Sequence, residues 1–495
     1  MKFKTRWSKE SKRQRQISLL SLLIAHHTKQ PEDYLNLVSA GSEGIFASTD
    51  EKYSYAIFGR DSIEVAEDLL DSHKQLAHDV IMTLASLQGV ELNLRREEEP
   101  GKIHHEYRSR KFQGRHISSH AAMILDNLQV VWGSTPSRDE MIYYGSYDAT
   151  PLYIRLVGRY VDKYGDAILD NKYRGRDNDS HTIGASLAAA QQWLVEKISL
   201  SPLGLLEYRR LNPRGIENQV WKDSKTAYLH LDGSIANYER GIASVELQGY
   251  AYDALMTATK FSKSETEKRE LRDMALHIQK VVIDTFWMGD ENYFAEGIDH
   301  DARGNNRQIK TICSNGGVLL ESGLLRDLGP GASAKFVHGV VAQLFNEQLL
   351  TSVGIRSRAL KYKKMPGFVD YHGSYTVWPK ETYDIAKGLK KFGYFNLAEE
   401  LEDRILAGVE SAGEFYEFFY VDEQDKTYYE KRAVRNFLLR KRSADSPIPQ
   451  KGQAWVISAV LAIEYGRVKH QKLVNVSEFE SGILADMPNH SEAIK

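Results

Sequence analysis

Residues 242–286 read IASVELQGYAYDALMTATKF, then SKS, then ETEKRELRDMALHIQKVVIDTF. Apolar side chains recur every three or four positions through residues 242–261 and again through residues 265–286, and this spacing is typical of one face of an α-helix. The short polar segment between the two favours a turn. The stretch therefore predicts two consecutive helices joined as a hairpin.

The same periodicity continues along most of the chain. It predicts further helices near residues 62–90, 117–132, 149–164, 180–198, 315–326, 333–348, 382–394, 396–410 and 453–466. One more amphipathic helix at the N-terminus brings the total to about a dozen. Strand-like alternation is confined to short pieces such as residues 205–209 and 415–421, which we expect as hairpins in the loops. The fold class predicted is all-α.

A dozen helices can form either a superhelical repeat array or a closed toroid of six helical hairpins. No repeat of fixed period is found, which disfavours the array. The unusual aromatic, glycine and charged residues lie in the loops between helices, where functional residues concentrate. A toroid would bring alternate loops together at one mouth. We expect an N-terminal amphipathic helix or extension over residues 1–40, a barrel over 41–470 and a C-terminal tail over 471–495.

Composition excludes several classes of function. The 65 Lys and Arg nearly balance the 67 Asp and Glu of this 495-residue chain, so no large positive field attracts nucleic acid. A single cysteine, Cys313, excludes internal disulfides and favours a reducing compartment, so we expect a cytoplasmic location. The chain contains no run of about 18 apolar residues, so no membrane span is predicted.

The N-terminus shares some features with a targeting segment. Basic residues precede the apolar stretch at residues 17–25, as in a signal peptide, but its apolar residues fall at helical spacing and no cleavage site follows. An amphipathic helix is the better interpretation. Neither metal nor cofactor is expected: His104 and His105 are adjacent and cannot both face one ion, and no glycine-rich nucleotide loop is found.

Residues 204–250 contain the clearest chemical signal. The segment Trp221-Lys-Asp223 puts an indole, an ammonium and a carboxylate side by side. Aromatic rings with polar edges suit stacking on sugar faces, and a carboxyl group can protonate a glycosidic oxygen. This combination favours a carbohydrate as the ligand.

Several motifs together resemble bacterial amylo-alpha-1,6-glucosidase-like proteins, relatives of the glucosidase half of glycogen debranching enzyme and of glucoamylases. The motifs, in order, are Phe58-Gly-Arg-Asp-Ser62, Pro100-Gly-Lys-Ile-His-His-Glu106, Tyr144-Gly-Ser-Tyr-Asp-Ala-Thr-Pro151, residues 207–224 and Gln453-Ala-Trp455. The resemblance covers residues 40–470 and is more specific in its first half. It implies an (α/α)6 barrel and an inverting glycoside hydrolase.

The resemblance also implies two catalytic carboxylates. It places the general acid at Asp223, where Trp221 would raise the pKa of the carboxyl and Lys222 would lower it if it pointed inward. A helix N-cap is the alternative for Asp223. The general base is expected at Glu417, with Glu381 and Glu414 as rivals.

Other residues are expected to bind the sugar. The resemblance implies that Arg60 and Asp61 grip the hydroxyls of a terminal glucose, which would make the enzyme exo-acting; a buried ion pair at a helix start is the alternative. Asp148 is a further candidate, with an N-cap as its alternative. The remaining predicted contacts are Trp221, Lys222, His372, Trp378, Gln453 and Trp455.

The sequence departs from the family in ways that concern the leaving group. Phe58 replaces a usual Trp, Ser314-Asn-Gly-Gly317 replaces Ser-Asn-Pro-Gly, Lys380-Glu381 replaces His-Asp and Lys451-Gly-Gln453 replaces Ala-Pro-Gln. The prediction is therefore an inverting exo-α-glycosidase that releases terminal glucose from a glucoside or oligosaccharide, with an α-1,6 linkage as one option. Alternatives are a phosphorolytic or isomerising sugar enzyme, and a non-catalytic carbohydrate-binding or assembly protein.

Overall fold

The computed structural model describes residues 30–50, 52–133 and 137–485, with side chains described as far as residue 469. The predicted helix at residues 17–25 lies outside this range. Fifteen α-helices occur in the described part: α1 (Pro31–Val38), α2 (Gly59–Asp68), α3 (Lys74–Ser86), α4 (Ser119–Trp132), α5 (Ala149–Tyr164), α6 (Ile183–Leu200), α7 (Val245–Phe261), α8 (Glu265–Thr285), α9 (Asn315–Val318), α10 (Gly323–Arg326), α11 (Pro330–Leu344), α12 (Pro379–Lys391), α13 (Phe395–Ala412), α14 (Lys431–Arg440) and α15 (Ala454–Ala485).

Six helical positions form a closed inner ring. Helix α2 packs against α5, α5 against α7, α7 against the α9–α10 segment, that segment against α12, α12 against α15, and α15 again against α2. Each inner helix packs against an outer one, in the pairs α2–α3, α5–α6, α7–α8, α9–α11, α12–α13 and α15–α1. The prediction of an all-α (α/α)6 barrel is confirmed.

Some elements differ from the predicted pattern. Residues 62–90 form two helices, and residues 315–326 are broken into α9, a 3-10 turn at Leu319–Glu321 and α10. Helix α4 forms where expected but packs on a loop strand outside the ring. The sixth outer position belongs to α1, which lies before residue 41 and was not predicted; α14 was also missed. Both are short, with eight and ten residues, and each buries only three side chains.

Short strands connect the helices as small antiparallel sheets. The strands are β1 (Ala56–Phe58), β2 (Glu106–Ser109), β3 (Lys111–Phe112), β4 (Arg115–His116), β5 (Glu140–Tyr143), β6 (Lys172–Arg174), β7 (Ser180–Thr182), β8 (Ile242–Ser244), β9 (Trp287–Met288), β10 (Tyr293–Phe294), β11 (Gly297–His300), β12 (Asn306–Ile309), β13 (Leu350–Thr351), β14 (Gly354–Ile355), β15 (Thr376–Val377), β16 (Phe419–Val421) and β17 (Thr427–Tyr428). The predicted strand at residues 415–421 is present as β16, whereas residues 205–209 make only a single bridge, between Tyr208 and Ile242.

Two of these sheets present loop residues to the mouth of the ring. In the first, β1 pairs with β2 and leads directly into α2, so that Arg60 and Asp61 lie in the first turn of an inner helix. The turn lies close to the neighbouring backbone, because a Cβ on Gly59 would stand 2.1 Å from the His104 carbonyl oxygen. In the second, β15 pairs with β16, which brings Trp378 and Glu417 to one end of the barrel.

Candidate functional site

A cavity lies at the mouth of the ring, with a volume of about 450 Å³ including the space open to solvent. Its walls come from loops and helix starts that are far apart in sequence. The lining residues are Ala47, Tyr53, Phe58, Arg60, Asp61, Trp221, Asp223, Tyr371, His372, Trp378, Glu417, Gln453 and Trp455. Most of the residues predicted from sequence to bind or cleave a sugar are therefore brought together.

Arg60 is held in place by Asp148. Its Nη1 donates to Asp148 Oδ2 at 2.8 Å, and Asp148 also accepts from the Ser146 hydroxyl at 2.5 Å. Asp148 is fully buried and does not line the cavity, and although it stands at the N-cap position of α5 its side chain makes no capping bond. Asp148 thus orients the guanidinium and is placed behind the site, not in contact with the cavity.

Arg60 also faces Asp223. Its Nη2 lies 3.9 Å from Asp223 Oδ2, and the Asp223 side chain is 35% exposed at the cavity mouth. No described helix begins at Asp223, so the N-cap alternative does not apply. The guanidinium therefore bridges a buried carboxylate on one side and a cavity carboxylate on the other.

Three carboxyl groups face the same cavity. Burial raises the pKa of Asp61 to about 7, although Arg60 opposes the shift. Burial raises the pKa of Asp223 to about 6, with Arg60 and Lys52 opposing. Burial among aromatic rings also raises the pKa of Glu417 to about 8, against the charge of Lys52 and a hydrogen bond from the Gln450 backbone N–H. Each carboxylate in addition disfavours ionisation of its neighbours. Because these pKa values lie near 7, some of the three carboxyl groups remain protonated at neutral pH.

Aromatic rings form the rest of the wall. The ring of Trp221 makes edge contacts with those of Trp378 and Trp455 at centroid distances of 4.9 and 5.3 Å. His372 stacks on Trp378 with the planes 13° apart, and the Trp378 indole donates to the Tyr371 carbonyl at 2.8 Å. These contacts hold the rings rigid, as a stacking surface for a sugar requires.

Glu381 and Glu414, the rival candidates for the base, lie outside this cavity. Glu381 Oε1 accepts from the Trp221 indole at 3.1 Å and from the Ser314 hydroxyl at 2.6 Å, behind the aromatic wall. Glu414 accepts from the Tyr34 hydroxyl at 2.9 Å. Glu381 instead lines a smaller inner cavity, which shares Arg60, Trp221 and Trp455 with the first. Those shared residues form the partition between the two.

Lys222 points away from the cavity. Its fully buried Nζ donates to the Ser357 carbonyl at 2.7 Å and to the Ser314 hydroxyl at 3.0 Å. The same atom lies 3.8 Å from Glu381 and 3.9 Å from Glu296. The expectation that Lys222 contacts substrate does not agree with this geometry, because its charge is engaged behind Trp221.

Two polar residues that line the cavity, Tyr53 and Tyr371, and one at its rim, Lys52, escaped the sequence analysis. The Lys52 ammonium donates to the Tyr371 hydroxyl at 2.9 Å, and the Tyr53 and Tyr371 hydroxyls lie 3.4 Å apart. Lys52 is exposed at the rim, whereas both tyrosines line the cavity. No sequence signal distinguished Lys52 or Tyr53 from other polar loop residues, but Tyr371 lies directly before the predicted contact His372.

Several polar atoms of the cavity residues have no hydrogen-bond partner within the described part of the chain. They are Arg60 Nε, His372 Nε2, Gln453 Oε1 and Trp455 Nε1. Buried donors and acceptors of this kind are costly unless a ligand pairs with them. Donors and an acceptor around a ring-lined cavity suit the hydroxyls of a sugar.

Two other kinds of site were sought among the described residues. No group of three His, Cys, Asp or Glu side chains could hold a metal ion there. None of the helices in the same part of the chain is long and apolar enough to cross a bilayer.

The ring of helices with its loop-built cavity defines the (α/α)6 class of toroids. Among solved structures, this chain is similar to the GH63 mannosylglycerate hydrolase from Thermus thermophilus in complex with glucose, with 14% identity and a TM-score of 0.56 over 88% of this chain and 98% of that one. The same hydrolase in complex with Tris and D-glycerate gives a TM-score of 0.55. A glycosidase in complex with glucose is 12% identical, with a TM-score of 0.52 over 88% of this chain and 93% of its own.

At such identities the likeness shows a shared fold. No protein-family profile matches the chain, and no curated protein matches it in sequence.

Proposed function

We propose that this protein is an exo-acting, inverting α-glycosidase that releases a terminal sugar, glucose in the first instance. The observation that carries the proposal is one cavity holding Asp61, Asp223 and Glu417 with raised pKa values beside Arg60 and stacked indoles. Structural relatives bound to glucose support a sugar as the ligand. Glycoside hydrolysis needs two carboxyl groups in different protonation states, and this cavity supplies them.

The shape of the cavity supports action at a chain end. Arg60, Trp221 and Trp455 separate it from the inner cavity, so it is closed toward the barrel axis. The partly exposed side chain of Asp223 lies toward the opening. A terminal sugar would enter with its free hydroxyls toward Arg60 and Asp61, and the rest of the substrate would stay outside. A guanidinium fork and a carboxylate can bind adjacent hydroxyls as donor and acceptor.

In the proposed reaction Asp223 protonates the glycosidic oxygen and the bond from that oxygen to C1 breaks. Glu417 removes a proton from a water molecule, whose oxygen attacks C1 from the opposite face. The products are a sugar with inverted anomeric configuration and a leaving group with a new hydroxyl. The two carboxyl groups of an inverting enzyme stand roughly 6.5–9.5 Å apart to leave room for the water.

One electrostatic feature favours an exchange of the two roles. The pKa of Glu417, about 8, is higher than that of Asp223, about 6. With the proposed roles, the productive protonation pattern is therefore the minor one near pH 7. Exchanged roles would make the productive pattern the major one. Replacing each carboxyl group and comparing substrates with poor and good leaving groups distinguishes the two assignments.

We predict a bell-shaped dependence of kcat/KM on pH with its maximum near 7. Activity should fall below about pH 6, where both carboxyl groups are protonated, and above about pH 8, where both are ionised. Initial rates in constant-ionic-strength buffers from about pH 4 to 10 measure the two limbs. A plateau that continues above about pH 9 would contradict a carboxylic general acid. The acid and alkaline limbs of this profile fall at the same pH values whether Asp223 or Glu417 is the general acid.

Replacing Arg60 with lysine should lower kcat/KM by about 10- to 100-fold, mainly through a higher KM. The ammonium keeps the charge but loses the fork that meets Asp148 and Asp223, and hydrogen bonds to charged groups are worth about 1.5–3 kcal/mol. Arg155→Lys is the matched control, because its guanidinium is equally buried but pairs with Glu67 away from the cavity. If Arg60→Lys and wild type have equal KM values and equal melting temperatures, Arg60 does not contribute to substrate binding.

The direct test is hydrolysis of a panel of α-glucosides and α-mannosides of different linkage and length, followed by NMR so that the first-formed anomer is observed. Initial release of the β-anomer from an α-glycoside supports the proposal and identifies the linkage. Release of the α-anomer would contradict inversion. No release from any member would contradict a glycosidase.

Phosphorolysis is the second candidate, because unpaired cations lie next to the Glu417 segment. However, Tyr416 faces these cations whereas Glu417 faces the sugar cavity. The panel is therefore repeated with inorganic phosphate. Phosphate-dependent formation of a sugar 1-phosphate would favour phosphorolysis over hydrolysis.

A further inference from the structure

A second groove runs along the outer side of the Glu417 segment. It has a volume of about 780 Å³, including the space open to solvent. The groove is lined by Asp50, Lys52, His120, Tyr416, Tyr429, Lys431, Arg435, Ile448, Pro449, Gln450 and Lys451. We call it the basic groove, because Lys52, Lys431, Arg435 and Lys451 all lie on it.

The four cations of the basic groove form no ion pair with any described carboxylate, and all four are exposed. Among the described residues, the lining holds one acid, Asp50, which accepts from the Lys451 backbone N–H at 3.2 Å. Glu414 and Glu430 lie near Tyr416 but do not line the groove. In a chain of formal net charge -2, the described lining therefore carries more positive than negative charge. Such a surface attracts anions.

The basic groove adjoins the sugar cavity, although the two have no lining residue in common. Lys52 lines the groove, donates to Tyr371 of the cavity wall and lowers the pKa values of both Asp223 and Glu417. Gln450 also lines the groove, and its backbone N–H donates to Glu417 Oε2 at 3.3 Å. A substrate with its terminal sugar in the cavity would pass Lys52 as it leaves the mouth. Because Lys52 belongs both to the cavity rim and to the groove, a leaving group that passes Lys52 can reach the groove.

We propose, resting on the proposed glycosidase function, that the basic groove binds a phosphate ester on the leaving group. The substrate class is then an α-glycoside whose second sugar is phosphorylated. A phosphate monoester carries about -1.5 to -2 charges near pH 7 and has three acceptor oxygens. It matches several separate cations better than a carboxylate does, since Arg435 can bind two oxygens and each lysine one. Hydrolysis adds water across the glycosidic bond and leaves the phosphate ester intact.

The wild-type protein is tested on matched pairs: trehalose with its 6-phosphate, and maltose with maltose phosphorylated at C6 of the reducing glucose. An α-glucoside of a hydroxy acid provides a carboxylate arm. We expect kcat/KM to be at least about tenfold higher for a phosphorylated member than for its neutral partner, through KM. The preference should shrink in about 0.5 M NaCl, because salt screens exposed charges.

Variants on α14 show whether the groove causes the preference. Arg435→Gln should raise KM for the phosphorylated substrate by about three- to fivefold, and Lys431→Gln combined with Arg435→Gln by about tenfold or more. KM for the neutral partner should not change. Arg432→Gln is the matched control, because Arg432 is exposed on the same helix and its replacement removes the same charge without altering the groove lining.

The outcomes separate the two proposals. Equal kcat/KM within every pair overturns the phosphate inference and leaves the glycosidase intact. A preference for the carboxylate glucoside over the phosphorylated ones, or equal effects of Arg432→Gln and Arg435→Gln, also overturns the inference. No hydrolysis of any substrate overturns the proposed function, and the inference with it.

Discussion

Asp223→Asn is expected to lower kcat on unactivated α-glucosides by about a thousandfold, with KM changed little. The amide keeps the size of the side chain but cannot protonate a leaving oxygen, and general acid catalysis contributes about 10²–10⁴-fold. Binding should survive because Arg60 remains held by Asp148. Steady-state rates on the glycoside identified by the panel measure the loss, with isothermal titration of glucose as the check on binding.

A second substrate separates the acid from the base. Fluoride departs from α-glucosyl fluoride with little help from a proton, so Asp223→Asn should retain most of its activity on that compound, within about tenfold of wild type. The opposite result would show that the two roles are exchanged. In that case Asp223→Asn loses about a thousandfold on the fluoride as well, whereas Glu417→Gln does not. The higher pKa of Glu417 makes this a sharp test.

Glu417→Gln is expected to abolish turnover on both kinds of substrate, with a loss of at least about a thousandfold. The variant can no longer remove a proton from the attacking water, and an easier leaving group does not replace that step. Added azide needs no deprotonation and should restore activity on the fluoride, with a glucosyl azide of inverted configuration as product. The product's anomeric configuration is read by NMR.

Glu414→Gln is the matched control for Glu417→Gln. The two carboxyl groups are three residues apart, but Glu414 accepts from Tyr34 outside the cavity. Its amide should therefore keep wild-type rates, with at most a small loss of stability where α1 packs against the barrel. A large kinetic loss in Glu414→Gln, with Glu417→Gln active, would move the base to Glu414.

Much of the fold could be predicted from periodicity, because outer helices such as residues 265–285 bury one face and expose the other. The inner helix at residues 149–164 is buried on every side over residues 149–158, yet its bounds are also close to those predicted. The short helix α1 and the charged helix α14 could not be predicted from periodicity, since their burial depends on the rest of the protein. The break at residues 315–326 also has a tertiary cause, because this segment packs against both α7 and α12.

The candidate site was predictable where a residue's chemistry is unusual for its surroundings. Trp221, Asp223 and Glu417 carry such signals, and the structure brings them to one cavity. The direction in which a side chain points could not be predicted. Lys222 and Asp148 both lie within the recognised motifs, yet Lys222 points behind Trp221 and Asp148 supports Arg60. Lys52 gave no signal, since its importance depends on Tyr371, which follows more than 300 positions later along the chain.

The pairing of α1 with α15 affects how the chain must fold. These two elements are the first and last described helices, and α15 also packs against α2 and α12. During synthesis the ribosome releases α2 long before α15, so the seam of the inner ring stays open until α15 has been made. Until then, its apolar edge depends on other partners or on chaperones.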